Sequence, residues 1–431
     1  MPQSHYIENL LDLKDTNIEI LSEVPIEHQI IRNKACKVLA ARLSPAIEAC
    51  HACGSLPDQV IKHGTKTSLV KLCSVTGFDT YLRLKKQRYY CKSCHSTFTA
   101  KTKLVRKGCV LSQPLKTAIL LEAQHIRSEK DIARTFGVSH QTVHRLILQP
   151  QLQRKTSFDY LPSFLSMDEF KSVKSAQGAM SFILCDAYNK ELIDIVEDRR
   201  LPSLIRYFHR YDLQVRKRVR GVVIDMYEPY IQLIKQCFPN AEIIIDRFHV
   251  VQHLNRAMNQ LRIQTMKKFP IHSVEYKLLK RNWQLFLKPY EELSERYYHH
   301  RLLGKWMNHR ELVELILTTD ETMKDNWMAY QNLITTFCSR DEKRFFAWLD
   351  HYSDKVHPLL QTVLETFRKL TPAIRNSFRT KLTNGFVEGI NNKIKVIKRI
   401  SFGYRSFVNF RTRIMICFTL TKKTAQPLVV G

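Results

Sequence analysis

Two apolar, β-branched runs that each close on an aspartate constrain this chain more than any other feature: Gly221-Val-Val-Ile-Asp225-Met-Tyr and Glu242-Ile-Ile-Ile-Asp246-Arg-Phe-His249. A run of that kind suits a buried central strand, and its closing residue delivers a carboxylate to the edge of a sheet, where a metal can bind. Phe164-Leu-Ser-Met-Asp168-Glu169-Phe has the same form, and Asn384-Gly-Phe-Val-Glu388-Gly-Ile-Asn-Asn supplies a distant acidic partner. Strand-end carboxylates in a chain this basic point to metal-dependent chemistry on a polyanion.

The chain has 431 residues and a formal charge of +28. That length suffices for two or three domains, and that charge attracts phosphate backbones or anionic membranes at long range. No apolar run approaches the roughly 20 residues of a bilayer span, and the N-terminus lacks the basic-then-apolar pattern of a secretory signal. Nucleic acid is therefore the expected partner, no membrane is expected, and the cytoplasm is the expected location. The eleven cysteines, an odd number mostly placed singly in apolar segments, argue for a reducing compartment.

Four cysteines stand apart as Cys50-x-x-Cys53 and Cys91-x-x-Cys94. Each pair can form a tight turn that presents two thiolates, so together they match one structural Cys₄ zinc site. The gap between the pairs is longer than in compact zinc ribbons, and two unrelated reduced pairs are the plainer alternative. His51, His63 and His95 are poorer ligand candidates, and Cys73 reads as a core residue.

From Ser128 to Ile147 the sequence has the internal logic of a helix-turn-helix. Ser128 can cap a helix with Asp131 closing a capping box, and Ala133 is small enough for a close crossing. Gly137 can take the left-handed turn conformation, and Ser139 can cap the second helix. Val143 and Leu146 then face inward, leaving His140, Gln141, His144 and Arg145 as candidate DNA contacts. A plain helical hairpin shares part of this pattern.

Beyond 163 the order is three strands (164–170, 180–187, 192–197), then helix 202–211, strand 219–225, helix 229–238 and strand 242–246. Three consecutive strands followed by strand-helix alternation is the pattern of a ribonuclease-H-like sheet. It would bring Asp168 and Asp225 together, a self-repelling pair unless hard cations occupy it. Two Mg²⁺ ions in such a site could activate a water or 3′-hydroxyl and stabilise the leaving oxygen. A strand-end aspartate is as often a turn residue, and Asp186 is read that way. Glu169 should point to the opposite face from Asp168, and Glu228 beside Pro229 suits a helix start.

With cysteine knuckles, helix-turn-helix, Asp-bearing sheet, helical stretch and late glutamate in this order, the chain resembles the bacterial insertion-sequence transposases of the ISL-three family, within the DDE superfamily. The resemblance runs from about 45 to 420. It is carried by Cys50-His-Ala-Cys53-Gly, Arg88-Tyr-Tyr-Cys91-Lys-Ser-Cys94, Ser166-Met-Asp168-Glu-Phe, Val223-Ile-Asp225-Met-Tyr, Ile245-Asp246-Arg-Phe-His249-Val and Asn384-Gly-Phe-Val-Glu388-Gly-Ile-Asn391-Asn-Lys-Ile-Lys. It implies that Asp168, Asp225 and Glu388 are the catalytic, Mg²⁺-binding triad, with Mn²⁺ able to substitute. Without it Glu388 would read as a surface helical residue. Asp246 and His249 are read as supporting residues of the site, a structural role being the alternative.

The fold class expected is multidomain, α+β and α/β. Its parts are a small zinc-binding β domain (1–100), a helix-turn-helix (101–155), a ribonuclease-H-like mixed sheet flanked by helices (156–255 and 371–431) and an all-helical insertion (256–370). Lys393, Lys395, Lys398, Arg399, Arg405, Arg411 and Arg413, interleaved with Phe402, Tyr404 and Phe407, suggest a phosphate-gripping face beside the chemistry. Trp283 is a candidate for stacking on a displaced base, although core packing is the reading for all four tryptophans. The expected function is that of a DNA transposase binding terminal inverted repeats and target duplex. It would cleave and join strands without a covalent protein intermediate, as a homodimer or larger assembly on paired DNA ends, associated with the nucleoid when bound. The rivals are a catalytically silent DNA-binding regulator derived from such an enzyme and a nuclease that cuts without joining.

Overall fold

The computed structural model describes residues 3–21, 23–149, 156–352 and 355–419. The chain divides into two compact units, one of residues 1–155, 173–175 and 392–431, the other of 156–172 and 176–391. The boundary expected at 155 adjoins 150–155, outside the described residues.

The first unit opens with α1 (Gln3–Leu10) and a six-stranded sheet of β1 (Ile18–Ile20), β2 (Glu27–Ile31), β3 (Lys34–Leu43), β4 (Val60–Lys71), β5 (Asp79–Cys91) and β6 (Thr97–Thr99). β3 and β5 run parallel at its centre, and β4 pairs antiparallel with β5 across a register shift between Lys62 and Thr65. Alternate residues of β5 are buried, with Leu82 and Leu84 in a core that also holds Ile18, Leu43 and Val70. This is the period-2 pattern of a sheet covered on one face.

Three helices follow: α2 (Gln113–Glu122), α3 (Glu129–Phe136) and α4 (His140–Ile147). Their caps are as the sequence predicts. Ser128 accepts from the Asp131 backbone N–H and Ser139 from that of Thr142, and Gly137 ends α3 at φ 57°. Ala133, Val143 and Leu146 are buried at the crossing. Gly137 also packs against the sheet. A Cβ there would meet Asp79 Oδ2 at 2.5 Å and Lys71 Nζ at 2.6 Å. Lys71 and Asp79 form a buried ion pair at 3.0 Å, and Lys71 donates to the Gly137 carbonyl at 2.8 Å.

The second unit holds β7 (Phe164–Lys171), β8 (Met180–Asp186), β9 (Glu191–Val196), α5 (Leu201–Phe208), α6 (Leu213–Lys217), β10 (Gly221–Ile224), α7 (Glu228–Cys237) and β11 (Glu242–Ile245). β7, β8 and β9 form an antiparallel meander, while β10 pairs parallel with β7 and β11 parallel with β10, in the order β11-β10-β7-β8-β9. All four residues of β10 are buried, as a strand covered on both faces requires. This is the ribonuclease-H-like arrangement expected.

Residues 247 to 379 add α8 (Arg247–Lys267), α9 (Val274–Arg281), the hairpin β12 (Tyr298–His300) and β13 (Lys305–Met307), α10 (His309–Leu317), α11 (Glu321–Cys338), α12 (Glu342–His351), α13 (Pro358–Lys369) and α14 (Thr371–Arg379). The insertion is therefore not all helical. Gly304, at φ 65°, turns the hairpin, a segment too short to show strand periodicity. The tryptophans also depart from expectation. Trp327 is buried and donates to the Phe286 carbonyl at 3.2 Å, and Trp348 packs on the core, but Trp283 and Trp306 are 41% and 67% exposed. Along the outer edge of β11, Asn376 of α14 donates to the Ile243 carbonyl at 2.9 Å and Ser377 to that of Ile245, so the edge is covered.

The chain closes with α15 (Gly385–Ile400) and α16 (Phe407–Thr419). The expectation grouped 371–431 with the catalytic sheet, but residues from 392 onward belong to the first unit. The physical reason is Arg413, 1% exposed, which donates to the carbonyls of Ala123, His125 and Arg127 where α2 ends, while Ile416 joins the helix-turn-helix core. Arg413 is thus a structural residue and not a phosphate contact.

Gly137→Ala should lower thermal stability, by at least the roughly 1–2 kcal/mol that a left-handed non-glycine residue costs, because the added methyl also meets the Lys71–Asp79 pair. Calorimetric unfolding of the full chain checks this, and an unchanged midpoint would contradict it.

Candidate active site and metal centre

The register of the three parallel strands sets the geometry of the candidate site. Val223 pairs with Ser166, so two residues on Asp225 comes abreast of Asp168; Ile224 pairs with Ile245, so Asp246 follows abreast of Asp225. Neighbouring strands lie about 4.8 Å apart, which puts three acidic residues in one row across β7, β10 and β11.

The row carries the electrostatic marks of crowding. Burial, then the charge of Asp225, pushes the Asp168 carboxyl from its ordinary 3.8 up to about 7. Asp246 is raised too, first by burial and then by Asp225 and Glu388, against a backbone hydrogen bond from Asn384 that favours its charge. His249, in the first turn of α8, lies with Nε2 2.6 Å from Asp225 Oδ1. Burial alone would lower this histidine, but the close contact and charge of Asp225, with Asp246 and Asp168 behind it, raise it on balance.

α15 faces the row. Asn384 donates from its backbone to Asp246 Oδ1 at 3.2 Å, and its side chain accepts from the buried Ser166 hydroxyl. Asn391 donates to Asp168 Oδ2 at 2.8 Å and to the Glu169 carbonyl at 3.3 Å, leaving its own Oδ1 buried without a hydrogen-bond partner. Residues 384, 388 and 391 follow the i, i+4, i+7 spacing of one helix face, so Glu388 shares the face whose neighbours touch the row. Glu388 itself is exposed. Among the described residues, Asp168, Asp225 and Glu388 do not come within 4.8 Å of one another as a set; only the four cysteines form a cluster that tight.

The sequence pattern assigns the two asparagines no role. The signal that could have found them is their placement four residues before and three after Glu388. Asp186 is a turn residue, accepting from Tyr188 and Asn189. Glu169 points away from Asp168, toward Tyr230 and Arg199.

The zinc centre assembles from two equivalent turns. Cys50 accepts at its carbonyl from Gly54 at 2.9 Å, and Cys91 from His95 at 3.0 Å. Gly54 and His95 both take left-handed backbone, at φ 75° and 58°. The Sγ atoms of Cys50 and Cys94, and those of Cys53 and Cys91, lie 3.7 Å apart. Four thiolates around Zn²⁺ at about 2.3 Å stand about 3.8 Å from each other, so the donor set fits the ion. Backbone N–H groups of Cys53 and Ala52 lower the Cys50 thiol to about 6. His95 is engaged instead by the Tyr90 hydroxyl at 2.6 Å, and His51 packs edge-on to Phe98.

Of the helix-turn-helix candidates, His140, Gln141 and Arg145 are exposed and His144 half-buried. Glu129 of α3 engages both histidines, at 3.3 Å and 3.0 Å. On α15 and beyond, Lys395, Arg399 and Arg405 are exposed and Lys398 half-buried. Lys393 turns inward, donating to the Cys417 carbonyl at 3.2 Å and lying over the Phe418 ring.

The model of a family described as transposase matches residues 165–414, and one described as the zinc-finger of transposase IS204/IS1001/IS1096/IS1165 matches residues 48–94. The transposase for insertion sequence element IS1001 of Bordetella parapertussis is 24% identical over 402 residues, covering 89% of this chain and 92% of its own. A Lactococcus lactis subsp. lactis protein named ATP-dependent protease is 23% identical over 332 residues, covering 77% and 91%. The present sequence contains no Gly-x-x-x-x-Gly-Lys-Ser/Thr phosphate loop.

Metal analysis of the reduced protein should find about one zinc per chain, and Cys91→Ser should lose it; a stoichiometry near zero would contradict the site. For Asp168, the folded state keeps its proton up to about pH 7, whereas the unfolded chain loses it near 3.8. Its contribution to stability is therefore present at acid pH and is lost as pH rises through 7. In metal-free protein, Asp168→Asn should raise the unfolding midpoint at pH 8 and hardly at pH 3. The gain is bounded by about 4 kcal/mol, the equivalent of that displacement in proton affinity.

Proposed function

Because this chain belongs to the ISL-three family of transposases, we propose that it cleaves and joins DNA strands at a Mg²⁺-dependent site built from Asp168, Asp225 and Glu388. The single observation that carries this reading is the register that puts Asp168 abreast of Asp225, with Asn391 one turn beyond Glu388 bonded to Asp168. The site fits hard cations. Its donors are carboxylate oxygens, and the proton held by Asp168 up to about pH 7 reflects burial first and then the charge of Asp225, both of which a bound cation would offset.

Paired divalent ions, when bound, supply activation of an attacking water or 3′-hydroxyl and charge neutralisation at the leaving oxygen. The chain's own residues prepare the ground. Asn391 orients the Asp168 carboxylate, and Asn384 holds Asp246 while tying the start of α15 to β7 through Ser166. His249 steadies Asp225, whose charge, with those of Asp246 and Asp168, raises the histidine's proton affinity against the effect of burial. Mn²⁺ should substitute, since it accepts the same oxygen donors.

The zinc domain and α4 would recognise the terminal inverted repeats, with Gln141 and Arg145 reaching the groove and His140 and His144 held by Glu129 beside them. Lys395, Lys398, Arg399 and Arg405 would bind phosphates, whereas the inward turn of Lys393 removes it from that set. Two DNA ends would be held by a dimer or larger assembly.

A strand-transfer assay with a pre-cleaved end and Mg²⁺ tests this. The wild type should join ends, and Asp225→Asn should reduce joining by a thousandfold or more while leaving repeat binding within about twofold. Cutting without joining would mark a nuclease, and binding without turnover a regulator. Activity surviving in Asp225→Asn would refute the site.

A further inference from the structure

Phe402 is 99% exposed, more than any other large apolar side chain described. Full exposure leaves unrealised the roughly 1.5–3 kcal/mol that burying such a ring yields. Its backbone is also unusual. Phe402 at φ 52° and Gly403 at φ 93° are successive left-handed residues closing α15, where Phe402 donates to the Arg399 carbonyl and Gly403 to that of Lys398, both at 3.0 Å. A non-glycine residue persists in that region only where its surroundings impose it.

The surroundings do so here. Ser401 donates to the Tyr404 hydroxyl at 2.9 Å, the Tyr404 ring packs on that of Phe410 at 4.9 Å, and Phe407 and Phe410 are buried. Every other aromatic ring of the turn anchors it to the helices, and Phe402 alone is held outward on a rigid base.

The turn stands beside the recognition helix. Lys130, His140, His144, Phe402, Tyr404 and Arg405 line one open cleft of about 330 Å³. Lys130 and Arg405 are exposed, and so is Arg399 at the base of the turn. The cleft's acidic residue, Glu129, is drawn inward by the two histidines, its side chain 16% exposed. A rigid apolar ring amid cations, next to the helix that enters the major groove, has the chemistry of a side chain that opens a base step in duplex DNA.

We propose that Phe402 is a wedge that enters a base step of the duplex gripped by α4, unstacking it and kinking the DNA. This rests on the reading of the chain as a binder of its element's ends. Arg399, Arg405 and Lys130 neutralise the flanking phosphates, and the cleft receives the displaced edge of the step. A second copy of this chain is less well matched, because its net charge of +28 would be set against the cations around the ring.

The test uses full-length, zinc-loaded protein and duplexes covering the DNA ends that flank the coding region, with 2-aminopurine walked through them one position at a time. Wild type should raise the fluorescence severalfold at one step. Phe402→Ala should lose that rise and bind about tenfold more weakly, with an unchanged salt dependence because no phosphate contact is lost. Phe402→Trp should keep both. The ring is fully exposed, so none of these variants threatens the fold. An undiminished signal and affinity in Phe402→Ala would overturn the wedge while leaving the DNA-binding reading intact. So would a loss confined to self-association, measured by sedimentation without DNA. If wild type prefers no flanking duplex over unrelated DNA, the DNA-end reading fails first, and the wedge with it.

Discussion

Parallel pairing of β10 with both β7 and β11 is the constraint on which the second unit rests. It aligns three aspartates that, left alone, would repel one another and resist burial. The sheet tolerates them because each has a specific partner: Asn391 on Asp168, His249 on Asp225, and the Asn384 backbone on Asp246. Asn391 lies on α15 and Asn384 immediately before it, so the helix that carries Glu388 is fastened to the sheet by the same contacts that moderate the carboxylates. The proton that Asp168 retains up to about pH 7 reflects its burial and then the charge of Asp225.

The first unit depends on a different polar device. Lys71 and Asp79 lie nearly buried on adjacent strands, and their pairing is useful because Lys71 also satisfies the Gly137 carbonyl at the turn between α3 and α4. Removing either partner would leave a buried charge, which is costly. Arg413 does comparable work at the other end of the helical module, taking up three carbonyls where α2 ends. The sheet and the C-terminal helix therefore hold the three-helix module at two points, and the basic stretch after Glu388 belongs to the first unit although it continues the helix that carries Glu388.

Much of this was legible in the residues. The strand order, the caps at Ser128, Gly137 and Ser139, and the four-cysteine site follow from local rules: period, left-handed glycine, side-chain capping and thiolate spacing. What escaped was decided by contacts distant in sequence. Arg413 reads as one more cation in a basic run until it is seen buried against Ala123, about 290 positions away. Lys393 is similar, and Trp283 and Trp306 reverse the expectation that tryptophans seek the core. Asn384 and Asn391 carry no motif of their own, since an asparagine becomes a positioning residue only through what it faces.

The linear order of residues determined which segments became strands, helices and metal knuckles, because those depend on patterns within about a dozen positions. It also determined that Asp225 and Asp246 would stand at strand ends, whereas Asp168, expected at an end, lies within β7. Only the folded chain decided which ends became neighbours, which asparagines met them, and which cations turned inward. Register and burial are properties of pairs of segments brought together, and no single segment encodes its partner.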